Sequence, residues 1–152
     1  MQVIFTGFDL PFVAITLLRV TMGVFFTISG YHKLFNKARH ATVTSTMIDD
    51  HVPDPRLASW FIPMGEFFGG LGLFVGFLTP LAAIGLFFIC CGALIADGLK
   101  RIANFKPIDR ADYVDDVLYL PEALYGIILL TIALIGSGPY SVDALVLSHF
   151  PH

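Results

Sequence analysis

Charge is what this chain of 152 residues has least of: Asp, Glu, Lys and Arg make up 14%, against roughly 25% in a soluble domain. So few charges cannot clothe a water-facing surface around a chain that is 56% hydrophobic with a mean hydropathy of +0.78. The alternative solvent is lipid. Basic residues number nine, scattered over loops and one helix, so no surface follows a phosphate backbone and nucleic acid is excluded as a partner. Cysteine is limited to the adjacent Cys90 and Cys91. Neighbours on a helix point about 100° apart, so these two are expected to be small packing residues rather than a disulfide, and no CxxC redox motif exists. No histidine falls in a long apolar run: His32, His40 and His51 share one loop, and His149 and His152 lie in the C-terminal tail. A haem therefore has no axial ligand at membrane depth, and no metal site is expected from a His-x-x-His pair that contains Pro151. HExxH and the nucleophile elbow are also missing, which removes the familiar hydrolase chemistries.

What is present is length and apolarity suited to one membrane domain, residues 1–152. A spanning helix needs about 20 mostly apolar residues. Four stretches qualify, at 10–31, 57–78, 81–99 and 118–135, and the expected fold is an all-α, polytopic, antiparallel four-helix transmembrane bundle. Thr79-Pro80 reads as the tight turn between the second and third spans. Asp54-Pro55 reads as an N-cap followed by proline at the first helical position, and Pro121 as a second such start. Pro63 predicts a kink inside the second span. Residues 34–50 and 141–148 read as helices lying at the two membrane surfaces. Lys33, Lys37, Arg39 and Arg56 lie between the first two spans, and Lys100, Arg101, Lys106 and Arg110 between the last two. The remaining loops and tails carry no Lys or Arg, so the positive-inside rule puts both termini outside the cytoplasm. The first span has no basic n-region and no small-residue cleavage site, so it does not read as a signal peptide.

Arg19 is the informative residue, because a charge within a span is costly unless it finds a partner or water. Glu66 sits near the middle of the second span, and the two are expected to form a buried pair at the midplane, either as a register-fixing salt bridge or as a site for a ligand or proton. Arg19, Gly23, Phe26, Gly30 and Lys33 share one stripe of the first span. Gly65, Gly69, Gly72 and Gly76 make a stripe of small residues on the second, which suits close helix packing. Asp97 and Glu122, near the basic ends of the third and fourth spans, are expected to line the mouth of a cavity leading to Arg19. The plainer alternatives are that Asp97 reaches interfacial water and that Glu122 favours a helix dipole.

Several segments, in order, resemble the DoxX family of bacterial membrane proteins: Leu17-Leu18-Arg19, Gly30-Tyr31-His32-Lys33-Leu34, Glu66-Phe67-Phe68-Gly69-Gly70, Gly76-Phe77-Leu78-Thr79 and Gly136-Ser137-Gly138-Pro139-Tyr140-Ser141-Val142-Asp143. The resemblance spans roughly residues 12–146 and marks Arg19, Lys33, Glu66 and Asp143 as family-like. Pro139 departs from it, standing where many relatives carry a basic residue. The resemblance implies a bacterial inner-membrane protein. Relatives include a small subunit of a thiosulfate:quinone oxidoreductase and membrane partners of thiol-handling and superoxide-removing enzymes. The expected function is accordingly a subunit or accessory of a redox system that binds a quinone near Arg19 and Glu66. The alternatives are a small proton-coupled transporter, expected as a homo-oligomer, and a non-catalytic scaffold that docks a soluble protein partner through its basic loops. The orientation is testable in whole cells. A Ser148→Cys variant is expected to react with a membrane-impermeant maleimide added outside and a Ser45→Cys variant to stay unlabelled; the opposite pattern inverts the topology.

Overall fold

The computed structural model describes residues 10–102 and 114–149, less the side chains of Leu99, Val114 and Asp115. Every regular element among them is helical: α1 (Pro11–Phe35), α2 (Lys37–Asp49), α3 (Pro55–Val75), α4 (Thr79–Ala93) continuing through a π-helical turn at Leu94–Gly98, α5 (Leu99–Ile102), α6 (Val114–Leu118), α7 (Pro121–Ile135) and α8 (Val142–His149). Three helices are long and apolar enough to cross a membrane: α1, α3 and the continuous stretch Thr79–Gly98. The fourth apolar helix, α7, has 15 residues and starts three residues later than the sequence pattern suggests, because Pro121 takes its first turn, where a missing N–H costs nothing.

The prolines explain most of the helix starts. Pro11, Pro55, Pro80 and Pro121 each occupy a first or second helical position. The reversal between α3 and α4 therefore lies at Gly76–Leu78 rather than at Thr79-Pro80, which already belong to α4. Gly76 closes α3 in the left-handed conformation (φ 75°) and accepts the chain reversal without a Cβ penalty. Asp54 does stand at the N-cap of α3, but its own backbone is left-handed (φ 47°) and its side chain makes no cap bond; a capping side chain needs extended backbone to reach the N2 or N3 amide. Asn36 meets that condition for α2 and accepts from the Ala38 and Arg39 N–H groups. Pro63 is buried inside α3. Both surface segments are helices, α2 and α8, and neither has a buried residue.

Packing runs α1 on α3, α3 on α4, α4 on α7, and α7 back to α1. The core between them is Ile15, Met22, Phe26, Leu73, Ala83, Leu86, Cys90, Leu129 and Ile132. Cys90 and Cys91 are both free thiols. The outward faces are as apolar as the core: Phe61 is 68% exposed, Leu81 67% and Leu134 80%. A surface of that kind is tolerable only against hydrocarbon, where burying it releases no further water-ordering cost. The chain is thus a multi-pass membrane protein.

The α1–α3 contact is the tightest. A Cβ on Gly70 would fall 2.4 Å from the Thr27 nitrogen, and one on Gly23 or Gly30 would fall 2.5 Å from the Phe74 or Phe67 nitrogen. The α1 stripe thus behaves as expected, but its counterpart on α3 is Gly70, not the stripe of Gly65, Gly69 and Gly72. Those three face α4 or the turn instead, near Ile89, Leu86 and Ala82. We expect Gly70→Ala to lower the SDS-unfolding midpoint of purified protein sharply, because the colliding atoms are backbone and cannot yield. Gly85→Ala, which meets nothing within 4 Å, is expected to be neutral or to stabilise by up to about 1 kcal/mol through helix propensity.

Candidate functional site

The glycine contact sets the register of the two helices that carry the membrane charges. Gly23 lies against Gly70 and Phe74, and Gly30 against Pro63 and Phe67. Because α1 and α3 run antiparallel, Arg19 falls level with the Gly76 turn, whereas Glu66 falls level with Ser29 and Gly30. Ten residues at 1.5 Å each separate those levels by roughly 15 Å. The expected Arg19–Glu66 pair is therefore not formed, and each charge has found other partners.

Arg19 is 2% exposed, yet none of its hydrogen bonds goes to a carboxylate. Nη1 donates to the Leu73 carbonyl at 2.5 Å and the Phe74 carbonyl at 2.9 Å, and Nη2 donates to the Tyr140 carbonyl at 2.7 Å. Leu73 and Phe74 are in the last turn of α3, whose carbonyls lack i+4 helical donors and carry the negative end of the helix dipole, Leu73 receiving from the backbone only the Gly76 N–H at 3.2 Å. The guanidinium is thus a C-cap supplied by a different helix. Gly76 makes room for it: a Cβ there would fall 2.7 Å from Nη1 and 2.5 Å from the Ser141 Cβ.

The segment after α7 closes over this cap. Gly136 and Gly138 bend it with positive φ (89° and 72°). Tyr140 offers its carbonyl to Arg19. The Ser141 hydroxyl accepts from the Ala144 N–H, capping α8 at 3.1 Å. Asp143 then receives the Leu78 N–H at 2.7 Å and the Thr79 N–H at 3.0 Å, while its own N–H donates to the Gly76 carbonyl at 2.9 Å. Leu78, the N-cap of α4, has no side chain able to cap, so Asp143 does so from 64 positions away. Arg19 and Asp143 together satisfy both sides of one interhelical turn: the cation takes the carbonyls leaving α3, and the anion takes the amides entering α4. This arrangement has every mark of a structural clasp: three carbonyls take the two Nη groups, while the buried Nε has no partner among the described residues.

The second cluster lies toward the opposite end of α1. The Lys33 ammonium donates to both oxygens of Glu66, at 2.6 and 2.7 Å, and the Ser29 hydroxyl donates to Oε2 at 3.1 Å. The Glu66 side chain is 6% exposed and that of Lys33 32%, so the carboxylate is enclosed and the ammonium is its accessible partner. Lys33 belongs to α1 rather than to the following loop. Its long stem leans back toward the helix N-terminus, as helical side chains do, which brings Nζ level with Glu66 and one turn behind, at Ser29.

Asp97 and Glu122 come together, but not as the mouth of a cavity reaching Arg19. Arg101 lies between them, with Nε 2.6 Å from Asp97 and Nη2 2.5 Å from Glu122. Both are at the end of α4 and the start of α7, the end of the bundle opposite Arg19. Asp97 sits in the π-helical turn and pairs with Arg101 four residues on. Lys100 pairs with Asp50 at the end of α2, tying the surface helix to the same end. Lys106, Asp109, Arg110 and Asp112 lie outside the described residues, as do Pro151 and His152. His149 bonds the Leu145 carbonyl through Nδ1 at 2.9 Å.

Sequence reasoning thus identified the charged residues but gave Glu66 the wrong cation, and Arg19 a carboxylate where its partners are carbonyls. It missed Ser29, the Tyr140 carbonyl and the capping role of Asp143. Ser29 was signalled by its i,i+4 spacing from Lys33. The other two depend on a contact between segments 60 or more positions apart and left no local trace.

The corrected pairing is measurable. Lys33→Met and Glu66→Gln are each expected to destabilise against SDS, with a coupling of about 1–3 kcal/mol in the double variant. Arg19→Lys combined with Glu66→Gln is expected to be additive within about 0.5 kcal/mol. Coupling in the second cycle and none in the first would restore the midplane pair.

No curated protein and no solved structure matches the chain. The family model described as DoxX matches residues 14–98, which include α1, α3, the turn at Gly76, α4 and both Lys33 and Glu66. With more than half of its length matched, the chain belongs to the DoxX family.

Proposed function

We propose that this protein is a four-span inner-membrane subunit or accessory of a redox system, with both termini on the outer side, and that its polar site is the Lys33–Glu66 pair. The fourth span in this reading is α7, which packs against α4 and α1 and turns Ile127, Leu134 and Ile135 outward as lipid-facing residues. The orientation rests on the basic residues gathered at one end. The observation that carries the functional reading is an ion pair enclosed among spanning helices, with one partner still accessible. Charged groups at membrane depth are costly and mark ligand or proton paths more often than they serve stability.

The residues suit a quinone headgroup. The Lys33 ammonium has three donors and Glu66 engages it from one side, so a donor remains for a carbonyl oxygen. Bound there, a quinone supplies two-electron, two-proton chemistry, the electrons coming from a partner protein. Glu66 holds the ammonium in place and offers a carboxylate for proton exchange, with the Ser29 hydroxyl fixing its orientation. Tyr31, Phe35 and Phe67 form a run of aromatic contacts beside Lys33, an apolar setting for an isoprenoid tail. Arg19 has no part in this site.

Protein purified in mild detergent is expected to carry near-stoichiometric quinone by solvent extraction and chromatography. Lys33→Met and Glu66→Gln are expected to reduce it by about tenfold, the loss of one charge-assisted hydrogen bond, while Lys100→Ala leaves it unchanged. Quinone-free protein that also ignores an added soluble analogue defeats the reading. Solute flux in proteoliposomes that depends on pH and on Glu66 puts a proton-coupled transporter in its place.

A further inference from the structure

Beside the ion pair, but not lined by it, is a shallow pocket of about 410 Å³ formed by Tyr31, His32, Phe35, Asn36 and Lys37 at the elbow between α1 and α2. Its lining is one-sided in charge. Lys37 is a cation and makes no ion pair with the described residues. His32 and Tyr31 bring a ring N–H and a hydroxyl. Asn36 spends its amide oxygen on the Ala38 and Arg39 N–H groups, which leaves its NH₂ hydrogens for a ligand. Among the described residues no carboxylate lines the pocket. Glu66, beside Lys33, is already committed to Lys33 and Ser29. The remaining wall is aromatic, the Tyr31 and Phe35 rings lying 4.8 Å apart, with Phe35 66% exposed.

The position of the pocket names the ligand class. The 25 residues of α1 extend about 36 Å at 1.5 Å per residue, longer than a hydrocarbon core of about 30 Å. The elbow at Asn36 and Lys37, one turn beyond Lys33, is thereby placed at the headgroup level, at the end of the bundle that carries the basic residues. Basic pockets at this depth suit the phosphates of anionic lipids, and an exposed aromatic beside the donors suits the glycerol and upper acyl region.

We propose that this elbow is a binding site for the phosphate of an anionic phospholipid, held by Lys37, His32 and the Asn36 amide, with the acyl chains lying along the exposed Phe35 side of α1. Occupancy fastens the junction between the spanning helix α1 and the surface helix α2, whose start at Lys37 also directs the positive end of its dipole to the same place. The polar groups of this site are distinct from those of the quinone reading, since it uses neither Lys33 nor Glu66, although the two share the Tyr31 and Phe35 rings.

The test uses full-length protein stripped of lipid in detergent and titrated separately with phosphatidylglycerol, phosphatidylcholine and inorganic phosphate, with adducts counted by native mass spectrometry. Phosphatidylglycerol is expected to bind at least about fivefold more tightly than phosphatidylcholine, the increment of one uncompensated interfacial cation. The double variant His32→Ala, Lys37→Ala is expected to lose that preference, and Lys100→Ala, a change of the same sign at the same end, to keep it. All the altered side chains are exposed, so an unchanged SDS-unfolding midpoint shows that the variants are folded. Equal binding of the two lipids overturns the proposal. So does an equal loss of preference in Lys100→Ala, which reveals only diffuse basic attraction. Inorganic phosphate that binds alone as tightly as the lipid assigns the pocket to a soluble anion and overturns the lipid assignment.

Discussion

In hydrocarbon every polar group must be answered by the protein itself, and the Nη groups of the buried Arg19 guanidinium answer three carbonyls at once. A helix that ends inside a membrane protein leaves carbonyls without donors, and the next helix begins with amides without acceptors. At the Gly76–Leu78 reversal the chain answers the first with a cation from α1 and the second with the Asp143 carboxylate from α8. Three segments far apart in sequence, around residues 19, 76 and 143, are thereby bound into one end of the bundle. A charge that looks expensive in a linear reading is here a cap, and its favourable partner is a helix dipole rather than a single opposite ion.

That clasp is possible only because α1 and α3 approach at backbone distance. Gly23, Gly30 and Gly70 put no side chain at the points of closest approach, so Arg19 reaches across a gap that a methyl group would widen. The same contact fixes which residues share a level. It places Lys33, not Arg19, beside Glu66 and separates a structural charge at one end from an accessible ion pair toward the other. The division of labour between the two clusters follows from helix register, with no need for any difference in residue chemistry.

The legible part of the fold was the part governed by local rules. Apolar run length located α1, α3 and α4, and the prolines at 55 and 121 located helix starts. The polar helix α2 and the short helix α8 followed from their mixed patterns. The Gly76–Leu78 turn was misplaced by two to three residues, since a Thr-Pro pair is equally at home in a turn and in the first turn of a helix. The glycine stripe on α3 was attributed to one partner when the helix has two, with Gly70 facing α1 and its neighbours facing α4. Lys33 was counted with the loop because a lysine near a span end reads as an interfacial anchor.

The amino-acid sequence on its own determined that this chain lives in lipid, that its regular structure is helical, and that Arg19 and Glu66 must be dealt with inside the membrane. Those conclusions follow from transfer energetics, which act on each segment separately. The tertiary structure alone decided which charge answers which. Pairing depends on the depth at which two helices lock, and that depth is set by a few close backbone contacts between residues about 40 to 50 positions apart.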